Sequence, residues 1–404
     1  NRLMTYLTKH SILYNNQFGF RSNHSTLMAI VEMTEKITAA LDNKQFAVGI
    51  FIDLSKAFDT LDHRILLRKL EHYGIRGIVL NWFKSYLGNR MQFVEYQETK
   101  SSYLKISCGV PQGSILGPLL FLIYINDIAN VSKTLYLILF ADDTNIFFAH
   151  HDLQALTEKI NQELTLVSNW FLVNKLSLNL NKTNCILFAH RQRKIDFNKL
   201  TISFNNNRIS RVSYTKFLGV VIDEHLSWNH HINLIESKIS KTVGVLAKLK
   251  YTLPRYVLLM LYNSLILPYL SYCSMVWANE NNVNKVHKIS VLQKKAIRII
   301  CNMAYTAHCA PGLRALKLLT LLDISKLQLA EFMFKYSNNL LPNVFRHLFI
   351  TNADIHSYGT RQASNYHLSC ITTSLRKYSI STNGPKIWNA LSKETKSAAS
   401  LQIF

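Results

Sequence analysis

Acidic residues are scarce in this sequence, which has 24 Asp and Glu against 46 Lys and Arg over 404 residues. The resulting formal net charge of +22 at pH 7 indicates a polyanionic partner, most simply nucleic acid. The alternative is a basic protein whose charge serves solubility alone. Because 48% of the residues are apolar, most of the chain is expected to fold, with room for two or three domains.

Paired cysteine motifs are missing as well, since none of the six cysteines forms a C-x-x-C pair. No signal peptide is evident at the start, so reduced thiols in an intracellular protein are expected. Cys301, His308 and Cys309 lie close together in the sequence, but no complete four-ligand zinc spacing surrounds them. A zinc site is therefore not expected.

Unbroken apolar runs long enough to cross a membrane are absent too. Two stretches, 109–126 and 256–278, carry no charge, but Pro, Gly or polar residues interrupt both. A spanning helix needs about 20 mostly apolar residues in a row. Both stretches are therefore predicted to be buried core, and no membrane partner is expected.

Two apolar runs end in, or are split by, acidic residues. The run over residues 44–52 stops at Asp53 and predicts a buried strand. A second run, over residues 135–149, is split by Asp142 and Asp143, which predicts a hairpin with an acidic tip. The sequence therefore predicts carboxylates at the ends of buried strands.

The remaining pattern predicts an α+β first part and a mainly helical second part. Asp62 is expected to cap a helix that Gly74 ends, and residues 153–171 have helical spacing. The pattern becomes helical after about Trp228, with one helix near 283–301. Short strand-like pieces are predicted at 185–188, 200–204 and 217–222. The predicted domains are 1–225, 226–310 and 311–404; the last combines a helix near 319–336 with a polar stretch, 351–379, of loop and short strand.

The predicted burial of these acidic residues indicates what they could bind. A carboxylate buried at a strand end costs several kcal/mol unless it is paired or binds a cation. Carboxylate oxygens suit Mg²⁺, and two such ions about 4 Å apart promote phosphoryl transfer. An adjacent pair of aspartates alone more often marks an acidic turn on a soluble protein, so the pair needs support from its neighbours.

That support comes from an ordered series of motifs. F-I-D-L-S-K-A-F-D (51–59), G-V-P-Q-G-S-I-L-G-P (109–118) and F-A-D-D (140–143) together resemble the palm motifs of reverse transcriptases from non-LTR (LINE-type) retrotransposons, and those of the jockey-like group above all. Further segments are similar to the family's other regions: N-Q-F-G-F-R-x-x-x-S-T (16–26) to the fingers, L-S-L-N-L-N-K-T (176–183) to the palm, F-L-G-V (217–220) to the primer grip and G-P-K-I-W-N (384–389) to the carboxy-terminal region.

The resemblance implies a right-hand polymerase: fingers and palm in 1–225, a helical thumb and a carboxy-terminal extension. Asp53, Asp142 and Asp143 would hold two Mg²⁺ ions, for which Mn²⁺ is an alternative, and the backbone carbonyl of Leu54 would add a ligand. Lys182 would protonate the leaving pyrophosphate.

Nucleotide contacts are implied in the same way. Phe58 would act as a steric gate that excludes the ribose 2′-hydroxyl, the alternative being an ordinary core Phe. Arg21 would meet the triphosphate, the alternative being a surface salt bridge. Gln112 and Gly113 would lie in the loop that touches the incoming nucleotide.

Primer and template contacts complete the implied site. Phe217, Leu218 and Gly219 would steady the primer end, and Phe140 would pack under its terminus. Ten Lys and Arg against two Glu over 232–300 favour a thumb that grips phosphates, the alternative being a solvated helix face. The cluster comprises Lys285, Lys288, Lys294, Lys295 and Arg298.

The expected function is templated addition of dNTPs to a primer 3′-hydroxyl, copying RNA, by an intracellular protein that works as a ribonucleoprotein in nucleus and cytoplasm. No endonuclease, Met start or Cys/His knuckle is seen, so a piece of a longer protein is expected. Two alternatives remain open: a catalytically silent nucleic-acid-binding remnant and a maturase-like splicing cofactor. The template, the target site and the oligomeric state cannot be read from the sequence.

Overall fold

The computed structural model describes residues 2–193, 195–196, 200–205, 207–279, 282–355, 358, 361–368, 370–371 and 373–404. Its strands are β1 (Phe46–Ile52), β2 (Met91–Gln92), β3 (Glu95–Tyr96), β4 (Thr99–Lys100), β5 (Leu104–Lys105), β6 (Tyr136–Phe140), β7 (Asp143–His150), β8 (Asn184–Phe188), β9 (Ser203–Phe204), β10 (Asn207–Arg208), β11 (Ser210–Arg211), β12 (Tyr214–Phe217) and β13 (Val220–Asp223).

Its α-helices are α1 (Arg2–Lys9), α2 (Thr26–Asp42), α3 (His63–His72), α4 (Gly77–Leu87), α5 (Leu116–Ile125), α6 (Leu153–Val173), α7 (Asn229–Leu249), α8 (Arg255–Leu265), α9 (Leu267–Ser271), α10 (Ser274–Trp277), α11 (Val283–Ile300), α12 (Ala310–Leu316), α13 (Leu321–Ser337), α14 (Asn352–Ile355), α15 (Ser374–Lys377), α16 (Ile380–Ala390) and α17 (Lys393–Lys396). The predicted α+β class is confirmed.

The chain divides into two compact units. The first unit consists of residues 1–29, 46–187 and 194–212, and the second of residues 30–45, 188–193 and 213–404. Neither unit is a continuous stretch of sequence. Most of α2, for example, belongs to the second unit, although the residues on both sides of 30–45 belong to the first.

A five-stranded sheet organises the described part of the first unit, in the order β11-β8-β1-β7-β6. All seven residues of β1 are buried, and β1 pairs antiparallel with β7 along its whole length. This seven-residue ladder fixes which residues of β1 and β7 lie at the end of the sheet. The buried strand and the acidic-tipped hairpin predicted from the sequence are both confirmed.

Helices around this sheet follow the predicted pattern. The side chain of Asp62 accepts hydrogen bonds from the backbone N–H groups of Arg64 and Ile65 and caps α3, and Gly74 follows the helix at φ +88°. The uncharged stretch after Pro111 contains α5, which is largely buried. In the described part of the chain, no helix is both long enough and apolar enough to span a membrane.

The second unit differs from the sequence prediction at two places. Residues 217–222, predicted as one strand-like piece, are split between β12 and β13 because Leu218 and Gly219 take φ values of +44° and +87° and form a tight turn. The polar stretch 351–379 contains the short helices α14 and α15 and one isolated bridge between Thr351 and Tyr366. Residues 356, 357, 359, 360, 369 and 372 of that stretch lie outside the described residues.

Two acidic residues of α2 accept hydrogen bonds from residues near the carboxyl end of the chain. The buried Glu35 accepts hydrogen bonds from Arg376 Nη1 at 3.1 Å and from the N–H of Ile380 at 2.7 Å, where α16 begins. Asp42 accepts from the N–H and hydroxyl of Thr373 at 3.1 and 2.8 Å. A buried carboxylate is stable only with such partners, so residues 373–381 are an integral part of the second unit.

Candidate active site

The carboxylates meet because of the register of three strands. Ile52 pairs with Thr144 across β1 and β7, and Phe140 pairs with Asp143 across β6 and β7. One step beyond the first pair, Asp53 follows Ile52 at the edge where Asp143 begins β7. Side chains directly opposite one another on antiparallel strands have Cβ atoms about 5 Å apart. The fold therefore brings the three aspartates predicted from the sequence to one edge of the sheet.

Burial and the neighbouring negative charges both change the pKa of Asp143. Burial, followed by the negative charges of Asp142 and Asp53, raises the pKa of Asp143 to about 6. Asp53 and Asp142 are half-buried, whereas Asp143 keeps an exposed surface. Among the described residues, no three His, Cys, Asp or Glu side chains are close enough together to enclose a metal ion. The arrangement is thus an open acidic edge and not a closed cage.

The predicted palm segment 176–183 braces Asp53 through the backbone. The N–H of Asn179 donates to the carbonyl of Asp53 at 2.9 Å, and the N–H of Ser55 donates to the carbonyl of Ser177 at 2.8 Å. Thr183 Oγ1 accepts from the N–H of Asp53 at 3.3 Å.

Two predicted site groups, the carbonyl of Leu54 and the ammonium group of Lys182, lie beside or within the segment 176–183. Leu54 faces Leu178 as an isolated antiparallel bridge, and no hydrogen bond to the Leu54 carbonyl occurs among the described residues. Lys182 is exposed on the turn of the same segment. The ammonium group of Lys182 is therefore open to solvent, whereas the unbonded carbonyl belongs to the buried Leu54.

The loop after β5 packs against the residues that follow Asp53. The N–H of Val110 donates to the carbonyl of Phe58 at 3.0 Å, and Gln112 Nε2 donates to Asp59 Oδ1 at 2.8 Å. Gly113 has a φ of +80°, with open space where a side chain would project. The loop thus presents an exposed amide side chain and a bare backbone.

Phe58 is not a fully buried core residue. Its ring lies 4.6 Å from that of the fully buried Phe121, centroid to centroid, while part of its surface remains exposed. Phe140, the other predicted aromatic, is also half-buried, at the end of β6. Both rings are therefore anchored on one side and accessible on the other.

Arg21 has a different environment from the predicted alternative of a surface salt bridge. Its Nη1 donates to the carbonyls of Tyr14 and Gln17 at 2.7 and 3.2 Å, and burial lowers the pKa of its guanidinium. No salt bridge involving Arg21 is seen among the described residues. One nitrogen of the guanidinium therefore joins two backbone carbonyls of the preceding residues.

Sequence reasoning missed two residues of the same motif. Gln17 is buried and its Oε1 accepts from the N–H of Ala141 at 3.0 Å, and a Cβ on Gly19 would lie 2.4 Å from the Ala141 nitrogen. The N-Q-F-G-F-R motif contained both residues, but nothing in its pattern indicated which element they touch.

In the second unit, Tyr272 holds the tip of the hairpin formed by β12 and β13. Its hydroxyl donates to the carbonyl of Leu218 at 2.5 Å, and a Cβ on Gly219 would lie 3.1 Å from its ring. The carbonyl of Tyr272 in turn accepts from Trp277 Nε1 at 2.9 Å. The predicted primer-grip residues thus lie at a tip that a helical segment supports, and Tyr272 had no signal in the sequence.

The predicted basic cluster on α11 divides into two groups. Lys288, Lys294 and Lys295 are exposed. Lys285 Nζ donates to the carbonyl of Ser227 at 3.4 Å, and Arg298 Nε donates to that of Ala307 at 2.8 Å. Three of the five cations are therefore directed to solvent, and two already contact the protein.

Comparison with known proteins shows the family. The model of the family described as reverse transcriptase (RNA-dependent DNA polymerase) matches residues 1–222, which is more than half of the chain, so the chain belongs to that family. Members of this family generally use divalent metal ions.

Curated relatives confirm the resemblance to jockey-like elements. The chain is 28% identical to the RNA-directed DNA polymerase from mobile element jockey of Drosophila melanogaster over 385 residues, 91% of this chain and 41% of that protein. It is 26% identical to the probable RNA-directed DNA polymerase from transposon X-element of the same species over 331 residues, 80% of this chain and 36% of that protein. It thus spans less than half the length of either relative.

Among solved structures, that of apo telomerase from Candida tropicalis is similar to this chain. The similarity has a TM-score of 0.40 at 11% identity and covers 83% of this chain and 59% of that one.

The proton affinity of Asp143 predicts a pH-dependent effect of Asp143→Asn. The pKa in the folded chain lies above the ordinary 3.8, at about 6, so the folded state binds the proton more tightly than the unfolded state. Ionisation between these two values therefore lowers the stability of the wild type. In metal-free buffer, the melting temperature of Asp143→Asn relative to wild type should rise as the pH increases from about 4 to about 6 and then level off.

The matched control is Glu98→Gln, which changes an exposed carboxylate at a tight turn outside the acidic edge. Its melting temperature relative to wild type should not follow that course. A difference for Asp143→Asn that stays constant over the same pH range would contradict the crowding of the three carboxylates.

Proposed function

We propose that this chain is an RNA-directed DNA polymerase that adds dNTPs to a primer 3′-hydroxyl on an RNA template. The observation that carries the proposal is the meeting of Asp53, Asp142 and Asp143 at one sheet edge. Family membership and the names of the relatives support it. From the same family resemblance we also propose that the protein works as a ribonucleoprotein in nucleus and cytoplasm.

Two Mg²⁺ ions, or Mn²⁺, are proposed at the acidic edge. The donor set fits: three mutually repelling carboxylates favour a cation, and an open arrangement suits Mg²⁺, which keeps waters and substrate phosphates among its ligands. The free carbonyl of Leu54 would add an oxygen. Bound there, the ions would supply activation of the primer hydroxyl and stabilisation of charge on the leaving phosphate.

Protein groups would then orient the nucleotide. The remaining donors of the Arg21 guanidinium would meet the triphosphate, since its fork matches phosphate oxygens. Gln112 is set by Asp59 on the exposed loop, and the bare backbone of Gly113 permits close approach of the sugar. Lys182, exposed on a turn that is hydrogen-bonded to Asp53, would give its proton to the departing pyrophosphate.

Phe58 is proposed to select the sugar. Its ring is supported from behind by Phe121 and cannot retreat into the packed core without displacing a buried side chain. A 2′-hydroxyl would therefore meet a fixed surface, and discrimination would come from a clash.

Nucleic acid is proposed to contact the second unit through the hairpin tip and α11. Phe217, Leu218 and Gly219 would steady the primer end, with Tyr272 as their support. The exposed Lys288, Lys294 and Lys295 would bind backbone phosphates, which gives affinity without sequence preference. Lys285 and Arg298 would contribute only if they exchange their present carbonyl partners.

Asp142→Asn tests the polymerase proposal. The substitution keeps the shape of the side chain but removes its charge, so primer extension on an RNA template with Mg²⁺ should fall by roughly a hundredfold or more. Binding to the same template–primer, measured by fluorescence anisotropy, should stay close to that of the wild type. Glu98→Gln is the control for loss of one exposed carboxylate and should extend normally.

Two results would contradict the proposal. Equal extension by wild type and Asp142→Asn would remove Asp142 from the metal site. Binding of template–primer without any extension by the wild type would favour the silent nucleic-acid-binding remnant.

Phe58→Ala tests the proposed gate. Without the ring, the space under the sugar should admit the 2′-hydroxyl, and the preference for dNTPs over rNTPs in kcat/KM should fall by about tenfold or more. Phe93→Ala, which removes a partly exposed ring from the neighbourhood of β2, is the matched control. Unchanged sugar discrimination in Phe58→Ala would leave Phe58 as an ordinary packing residue.

A further inference from the structure

Gln17 connects the loop of residues 16–21 to the turn that carries two of the carboxylates. Its side chain is 2% exposed, and its Oε1 accepts from the N–H of Gly19 at 2.9 Å and from that of Ala141 at 3.0 Å. Ala141 immediately precedes Asp142 and Asp143. One amide oxygen therefore holds both the loop and the turn.

The backbone on either side fixes the same contact. The N–H of Phe18 donates to the carbonyl of Leu139 at 2.8 Å, and the N–H of Leu139 donates to that of Asn16 at 2.9 Å. Gly19 packs so closely on the turn that any side chain would strike the Ala141 nitrogen. The loop thus lies along the end of β6 as a short parallel strand would.

The turn needs an external restraint. Ala141 has a φ of +55°, a left-handed conformation that is unfavourable for a residue other than glycine. The repulsion among the carboxylates that follow adds to this cost. A turn under both influences would open or shift unless a partner engages its N–H group.

The NH₂ group of the Gln17 amide shows which part of the side chain this position uses. Nε2 is buried and has no hydrogen-bond partner among the described residues. Reversing the amide would place this NH₂ group against two N–H donors, so the observed orientation is the favourable one. An unpaired buried donor is unfavourable, and an apolar side chain would avoid it. The oxygen of the amide, which two N–H groups use, is therefore the part of the glutamine side chain that this position requires.

We propose that Gln17 is a positioning residue for the polymerase reaction: its Oε1 holds the N–H of Ala141 and so sets Asp142 and Asp143 relative to Asp53. This inference rests on the proposed function for its catalytic consequence, but not for the geometry. It predicts that loss of the acceptor lowers kcat and leaves substrate binding intact, because Gln17 lies behind the turn.

Gln17→Met tests the inference, since methionine has a similar shape and no comparable acceptor. The expected loss in kcat is roughly tenfold to a hundredfold, with KM for dNTP and the Kd for template–primer within about twofold of wild type. Hydrogen–deuterium exchange in the peptide that contains Phe140–Asp143 should become faster, whereas exchange in β1 should not change. The melting temperature should fall, because the N–H groups of Gly19 and Ala141 lose their acceptor, so kcat and exchange are compared at a temperature where both proteins are folded.

Two further variants separate positioning from general damage to the loop. Gln17→Glu keeps an oxygen that accepts from Ala141 and, measured at a pH where this buried carboxyl is protonated, should restore slow exchange in the turn peptide. Tyr6→Phe removes a hydroxyl that donates to the carbonyl of Tyr73, outside both the loop and the turn, and should leave kcat and turn exchange unchanged.

Each outcome bears on the inference. It is overturned if Gln17→Met keeps both normal kcat and slow exchange, or if Gln17→Glu exchanges as fast as Gln17→Met. The exchange measurement does not need activity. Wild-type protein that protects the turn but extends no primer would therefore refute the proposed function and leave the role of Gln17 in the turn standing.

Discussion

Electrostatic repulsion among Asp53, Asp142 and Asp143 is the constraint on which the account depends. They lie just after β1 and in the turn from β6 into β7, and the seven-residue pairing of β1 with β7 keeps them close together. Burial, and then the charges of Asp142 and Asp53, raise the pKa of Asp143, which reflects the cost of keeping these carboxylates ionised. A cation relieves this cost, and substrate phosphates can complete its ligand shell.

The loops around the acidic edge make sense as restraints on these charges. Residues 176–183 hydrogen-bond to the backbone at Asp53, and residues 16–21 hydrogen-bond to the turn at Ala141. Several motif residues that resemblance assigns to substrate also hold the protein together: Arg21 folds its own loop and Gln112 is anchored by Asp59. The proposed metal ligands and the proposed substrate contacts thus depend on the same short segments.

How far the sequence predicts this structure depends on the range of the interaction. Continuous apolar runs located β1 and the acidic hairpin, and a period-3.6 pattern located α6, because each is a local consequence of burial. The turn at Leu218 and Gly219 was missed because a positive φ leaves little trace beyond one glycine. Glu35 and Arg376 are 341 positions apart, and Gln17 meets Ala141 across 124 positions. No local pattern contains such contacts.

Crystals of the protein with an RNA template, a DNA primer and a non-hydrolysable dNTP, grown with Mn²⁺, would test the central claim most directly. Anomalous scattering locates Mn²⁺ without any assumption about activity. The account predicts Mn²⁺ at roughly 2–2.5 Å from carboxylate oxygens of Asp53 and of the Asp142–Asp143 pair. Mn²⁺ bound only elsewhere, with the nucleotide in place and no ion at Asp53, would contradict it.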